Sequence, residues 1–215
     1  KEHTLRDTFF ISTLPPIKKA NTAMESTLTR IQNWYKLNCN GDWEHSYGMK
    51  ISNLDNPGWD IKIDIEDTAL ENLDYKKEFQ NPNNELDWYF ISSTESTLNM
   101  SCGIDNFEQI LKIFLDEIIP EHSKAEYYYD VYLPLIGYKF DILTLAKGKV
   151  INEKTIQLTE VMPVEYKNIK VMDLDLIDFD QNDLDKLKLN YEIGDEISVD
   201  LTEVFDGLVL TEKKE

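Results

Sequence analysis

The sequence predicts an α+β fold: an N-terminal helix–antiparallel sheet–helix unit followed by a strand-rich second unit. Three observations carry this expectation. Two segments, one opening near Ser26 and one near Asp105, repeat apolar residues at helical spacing. Between them, short runs alternate apolar and polar residues around turn-forming tetrads. After residue 121 the helical pattern gives way to closely spaced strand-like runs. The boundaries expected are a leader at 1–23, an α+β domain at 24–120 and a strand-rich domain at 121–215.

Residues 1–23 are polar or mixed, with Pro15–Pro16 and Lys18–Lys19, and read as an appended segment in which Phe9, Phe10 and Ile11 are candidates for docking. From Ser26 the pattern is helical, with Ser26 or Thr27 able to serve as N-cap, and Leu28, Ile31, Trp34, Tyr35 and Asn38 follow the spacing of one helical face. Asn40–Gly41 supplies residues that tolerate the left-handed backbone and should end this helix. Residues 49–54 and 59–65 read as strands. The second places Trp59, Ile61, Ile63 and Ile65 on one face and Asp60, Lys62 and Asp64 on the other. The tetrad Asp55-Asn56-Pro57-Gly58 joins them, each residue suited to a turn, the last as a permissive glycine.

Residues 80–85, with Pro82, read as a loop before two further strands at 86–92 and 97–101. Asp105 is expected to cap a helix whose face carries Phe107, Ile110, Leu111, Phe114, Leu115 and Ile118, with Pro120 as its terminator. Beyond it, 126–135, 138–145, 151–161 and 169–176 are strand-like, with turns at Gly137 and at Lys147-Gly148-Lys149. Residues 182–189 read as a short helix, and 196–201 with 208–211 as closing strands.

Charge narrows the function. The 215-residue chain has 22 Lys and Arg against 41 Asp and Glu, a net charge of −19. Residues 24–119 carry −11 and 120–215 carry −10, whereas 1–23 carry +2. Nucleic-acid binding rests on cations that displace counterions from phosphates, so no nucleic-acid partner is expected. An acidic surface draws in a basic protein and raises its association rate, or simply keeps the chain soluble. Cys39 and Cys102 are far apart and form no C-x-x-C motif, which fits a reducing compartment. No apolar run is long enough to span a bilayer, so no membrane partner is expected and the cytoplasm is the expected location.

One stretch concentrates unusual residues: Cys39, then Gly41-Asp42-Trp43-Glu44-His45, Tyr47–Gly48 and the Leu54-Asp55-Asn56-Pro57-Gly58-Trp59 turn. With Trp34–Tyr35 before it, Asp64-Ile65-Glu66, Thr68 and Leu70 after it, and the later amphipathic helix, this order resembles the immunity protein 53 family of bacterial polymorphic toxin systems. The resemblance spans about residues 24–119. It implies an antidote that binds and neutralises a cognate protein toxin by occupying or distorting its active site, with no cofactor and no catalysis; the charge balance adds the expectation that this toxin is basic. A nuclease is a common toxin of this kind, and carboxylates can mimic the phosphates its cleft holds.

The candidate partner-binding residues are Asp42, Trp43, Glu44, His45, Tyr47, Asp55, Asn56 and Trp59. Each has a plainer alternative: core packing for the tryptophans, solvation for the carboxylates, turn formation for Asp55 and Asn56. His45 lacks a nearby nucleophile motif or metal-ligand spacing. A second reading uses the aspartates that crowd at Asp173, Asp175, Asp178 and Asp180, followed by Asp183 and Asp185, as oxygen ligands of a metal-dependent phosphatase or nuclease. An EF-hand starting at Asp178 fails, because its sixth position is Asp183 and its twelfth Leu189. A solvated acidic face explains these aspartates as well. The Tyr127-Tyr128-Tyr129 run with Tyr132 suits strand packing or a recognition platform. A non-catalytic adaptor is the third reading. Phosphate-binding, dinucleotide, nucleophile-elbow and zinc-protease motifs do not occur.

Overall fold

The computed structural model describes residues 25–133, 142–161, 168–169, 177–178, 194–202 and 207–213. The expected leader at 1–23, the turn at Gly137 and the helix at 182–189 lie outside the described residues, as does 170–176 of the strand expected there.

Helix α1 (Thr27–Asn38) starts as its sequence dictates: the Ser26 hydroxyl accepts from the Thr29 amide at 3.1 Å. It buries Ile31, Trp34 and Leu37, a face rotated from the one expected. Leu28 is 67 % exposed and Tyr35 is also exposed. The rotation follows from polar anchors. Thr27 donates to Glu108, and Arg30 reaches Asp116 and Glu153, which turns the Leu28 side of the helix outward. Gly41 then takes a φ of 90°.

A one-turn helix, α2 (Trp43–Ser46), follows, between the two elements expected from the sequence. Then come β1 (Met49–Leu54), β2 (Gly58–Asp64), β3 (Lys76–Gln80), β4 (Trp88–Ser93) and β5 (Thr97–Gly103). They form one antiparallel sheet in the order β1-β2-β5-β4-β3. Strand β3 was not foreseen, because Lys76-Lys77-Glu78-Phe79-Gln80 has no apolar alternation. It is an edge strand that β4 holds through the ladder. Gly58 earns its place differently from the expected turn role. A Cβ there would sit 2.5 Å from the Cys102 carbonyl oxygen, and its register partner Gly103 is equally crowded by Leu86.

The Asp105 cap is displaced by one residue: Asn106 occupies the N-cap position of α3 (Phe107–Ile113) and makes no side-chain cap bond. Its amide nitrogen instead donates to Asp87 and Gln109. The helix does not stop at Pro120. A π-helical turn, Phe114–Ile118, leads into α4 (Ile119–His122), with Pro120 in its first turn. The Ile119 amide bonds to the Phe114 carbonyl, so the ladder has already shifted register where proline offers no N–H.

Ile61, Ile63, Ile91, Leu98, Met100 and Cys102 point from the sheet into the core against α1 and the α3–α4 rod. Helices therefore cover one sheet face, as the sequence suggested. The C-terminal strands β6 (Tyr127–Leu133), β7 (Ile142–Asn152), β8 (Thr155–Val161), β11 (Glu196–Thr202) and β12 (Gly207–Lys213) close into a barrel. An up-and-down barrel of five strands must close through one parallel pair, and β12 with β6 supplies it. A two-stranded ladder, β9 (Asn168–Ile169) and β10 (Ile177–Asp178), accompanies it. The turn expected at Lys147-Gly148-Lys149 is instead a bulge inside β7. A Cβ on Gly148 would meet the Gln157 carbonyl at 2.8 Å, and the chain reverses at Glu153–Lys154.

Barrel and helices share one core, in which Tyr129, Val131, Ile156 and Ile197 join the helical residues. An ion pair pins the junction. Arg30 is bidentate to Glu153, at 2.7 and 3.2 Å, and also meets Asp116 at 2.7 Å. Glu153 is only 5 % exposed.

Candidate functional site

The eight candidate residues fall at two places. Asp42, Trp43, Glu44, His45 and Tyr47 lie before β1, beside the strand end where Asp64 sits. Asp55, Asn56 and Trp59 lie at the opposite end of the β1–β2 hairpin. Six strand residues separate the two groups, about 20 Å of extended chain. They do not form one compact patch.

At the first place the local sequence builds its own scaffold. Asn40 Oδ1 accepts from the amides of Asp42 and Trp43, at 3.0 and 2.9 Å. In return, the Glu44 carboxylate accepts from the amides of Asn40 and Gly41, at 3.0 and 2.9 Å. This reciprocal pattern satisfies the free donors of the α2 turn. Glu44 is thus occupied in holding the loop. Trp43 is 2 % exposed. Its ring meets Trp34 edge-on at 6.0 Å, and its indole N–H donates to the Glu66 carbonyl at 2.9 Å. An accessible anchor at Trp43 is therefore corrected to a core residue, because the short helix turns its ring beneath α1. Trp34 is buried as well.

Asp42 and His45 remain exposed, and Tyr47 is half-buried. The Tyr47 hydroxyl is held above its ordinary range by partial desolvation and then by the nearby charges of Glu66, Asp67 and Asp64. Those carboxylates extend the acidic surface beyond the residues the sequence singled out. Asp67 adopts the left-handed backbone, φ 54°, in a turn tied by the Thr68 hydroxyl donating to the Ile65 carbonyl at 2.7 Å. The alternation of the strand pointed to Asp64, and Glu66 entered only with the family resemblance, but nothing local marked Asp67. Among the described residues no cation pairs with Asp42, Glu66 or Asp67, whereas Asp64 has Lys62 at 3.6 Å.

At the far end Asp55 and Asn56 are exposed in the turn. Trp59 is half-buried, packs on Phe107 at 4.7 Å and donates to the Ile104 carbonyl at 3.0 Å. Only part of its ring is free for a partner.

Two grooves flank the sheet. One, about 790 Å³, runs between α1 (Ile31, Tyr35) and the start of β1 (Tyr47, Met49). The other, about 540 Å³, lies between β3, β4 and α3, where Lys77 already pairs with Glu117 and Lys112 with Glu108.

Among the described residues no group of three or more His, Cys, Asp or Glu is placed to hold a metal. Asp173, Asp175 and Asp180 lie outside the described residues, and Asp178 is placed only as a backbone position of β10. No described helix is long and apolar enough to cross a membrane. Burial pushes the Cys102 thiol up to about 11, and Cys39 is buried too, its thiol donating to the Tyr35 carbonyl.

Comparison with known proteins gives one result. Residues 28–118 match the family described as immunity protein 53, the family the sequence resembles, over less than half of the chain. The search of curated proteins and the search of solved structures each gave no match.

Proposed function

We propose that this chain is a toxin antidote that binds a cognate toxin through the acidic surface around Asp42, Tyr47, Glu66 and Asp67. The observation that carries the reading is that Glu66, Asp67 and Asp64 crowd Tyr47 and that, among the described residues, no cation pairs with Glu66, Asp67 or the nearby exposed Asp42. Such charges gain most from a partner that brings Arg or Lys. The family match supports an immunity role for residues 28–118. The toxin is a basic protein, a nuclease being the class whose cleft these carboxylates would mimic. The chain does no chemistry of its own, takes no cofactor, acts in the cytoplasm and engages neither nucleic acid nor membrane. Residues 24–120 form the recognition domain and 121–215 a second domain docked on it.

Co-expression with toxin domains from the polymorphic toxins of the same host tests the proposal: growth arrested by the cognate domain should be restored by this chain and not by an empty vector. Reversing charge at Asp42 and Glu66 together should slow association about tenfold, with a smaller change in dissociation. Glu44 is a poor choice for this purpose, because its carboxylate holds the α2 turn. Growth arrest that persists in the presence of the intact chain refutes the antidote role.

A further inference from the structure

We infer that β1 is the docking edge: an extended, lysine- or arginine-flanked segment of the partner adds to the sheet as a strand beside it. This rests on the antidote reading and says how the partner is held.

Register fixes which backbone groups are available. The Asp64 amide donates to the Gly48 carbonyl at 2.9 Å, so residues 48 and 64 are a hydrogen-bonded pair. Alternation along an antiparallel ladder then turns the peptide groups of Lys50, Ser52 and Leu54 toward β2 and those of Met49, Ile51 and Asn53 outward. Among the described residues these outward groups have no backbone partner.

The sheet's two edges are not alike. Along β3, Lys76 and Glu78 are exposed 3.6 Å apart, Lys76 lies over Phe90, and Pro82 follows the strand. Charged side chains and proline are how proteins discourage strand addition. Strand β1 also has an exposed lysine, Lys50, and Pro57 after it, but its midpoint on the helix-facing side is Ile51, 47 % exposed, where β3 has no such apolar residue at its centre. Beyond that edge lies the groove between α1 and Met49, where the helix-side residues of an added strand would be received. Strand addition takes affinity from main-chain bonds and specificity from such pockets.

Charge identifies the occupant. Asp42, Glu66 and Asp67 sit near one end of β1 and Asp55 at the other, so a segment with cations at both ends is complementary to those ends, and uncharged residues between them keep further cations away from Lys50 and Lys36.

The probe is a nine-residue peptide of alternating valine and threonine between terminal lysine pairs, added to the full chain. Amide exchange at Met49, Ile51 and Asn53 should slow about tenfold at millimolar peptide, while Lys50 and Ser52 change little. Replacing the lysines by glutamates should weaken binding about tenfold or more. Ile51→Pro, which removes an outward N–H but no β1–β2 bond, should abolish binding, and Ile51→Thr should keep it. Asn53→Pro serves the same purpose if the first variant misfolds. No slowing at the three outward amides, or equal binding of the glutamate peptide, overturns the inference. So does protection already present without peptide that rises with protein concentration, which would make a second copy the occupant. Restored growth in the co-expression assay alongside any of these results leaves the antidote standing and removes only the docking edge.

Discussion

Ile51 and Ile61 face each other across the β1–β2 ladder, on the same side of the sheet, yet Ile51 is 47 % exposed and Ile61 fully buried. Ile61 has β5 on its other side and helices above it. Ile51, on the edge strand, has no further strand beside it among the described residues. The same side chain is thus structural in one strand and available in the next. Position in the sheet, and not hydrophobicity, separates the part that holds the molecule together from the part that can be shared with a partner.

Substitution at the two positions should break that symmetry. Ile61→Ala opens a cavity in the core and should cost about 2–5 kcal/mol of unfolding free energy by denaturant titration. A loss below about 1 kcal/mol would mean that the core around β2 is loosely packed. The ion pair between helix and barrel is the next most sensitive point. Arg30→Met leaves Glu153 buried without its cation and should cost about 3 kcal/mol. Barrel amides should then exchange faster than those of β2 and β5, whereas uniform acceleration would show the two parts to unfold as one.

Cys102, on the buried side of β5, adds a pH dependence. Its folded thiol titrates near 11, above the ordinary 9.0, because burial disfavours the thiolate. The unfolded chain therefore loses this proton first. The stabilising contribution is complete below about pH 9 and is lost as pH rises toward about 11. Thermal melts of Cys102→Ala should show a shallower decline over that interval, whatever the cost of the cavity. A smaller effect is expected at the acidic loop. Asn40→Ala removes a cap from two amides and should cost about 1 kcal/mol while weakening partner binding through a disordered Asp42. Smallest of all, Ile51→Thr should change stability by less than about 1 kcal/mol, since the half-exposed side chain has little burial to lose.

Much of the α+β part could be read locally. Ser26 announced the first helix, Trp59 to Ile65 declared a one-faced strand, and the Asp55-Asn56-Pro57-Gly58 turn set the hairpin. Local reading failed where a neighbour supplied the order: β3 exists because β4 pairs with it, and Gly148 is a bulge because β8 crowds it. The site was legible as a set of residues but not as an arrangement. In the chain Trp43 suits an interface anchor or a core residue and Glu44 a partner contact or a solvated charge; the fold uses one as core and the other as a cap.

What the sequence determined alone was whatever depends on residues a few positions apart: helix starts, strand alternation, turn chemistry, the acidic balance and the order of motifs that matches a family. Tertiary structure decided which isoleucine is buried, which carboxylates crowd Tyr47 and which strands lie at the edges of the sheet. Burial and electrostatic environment depend on what packs alongside, and the partners in space are separated by tens of residues in the chain.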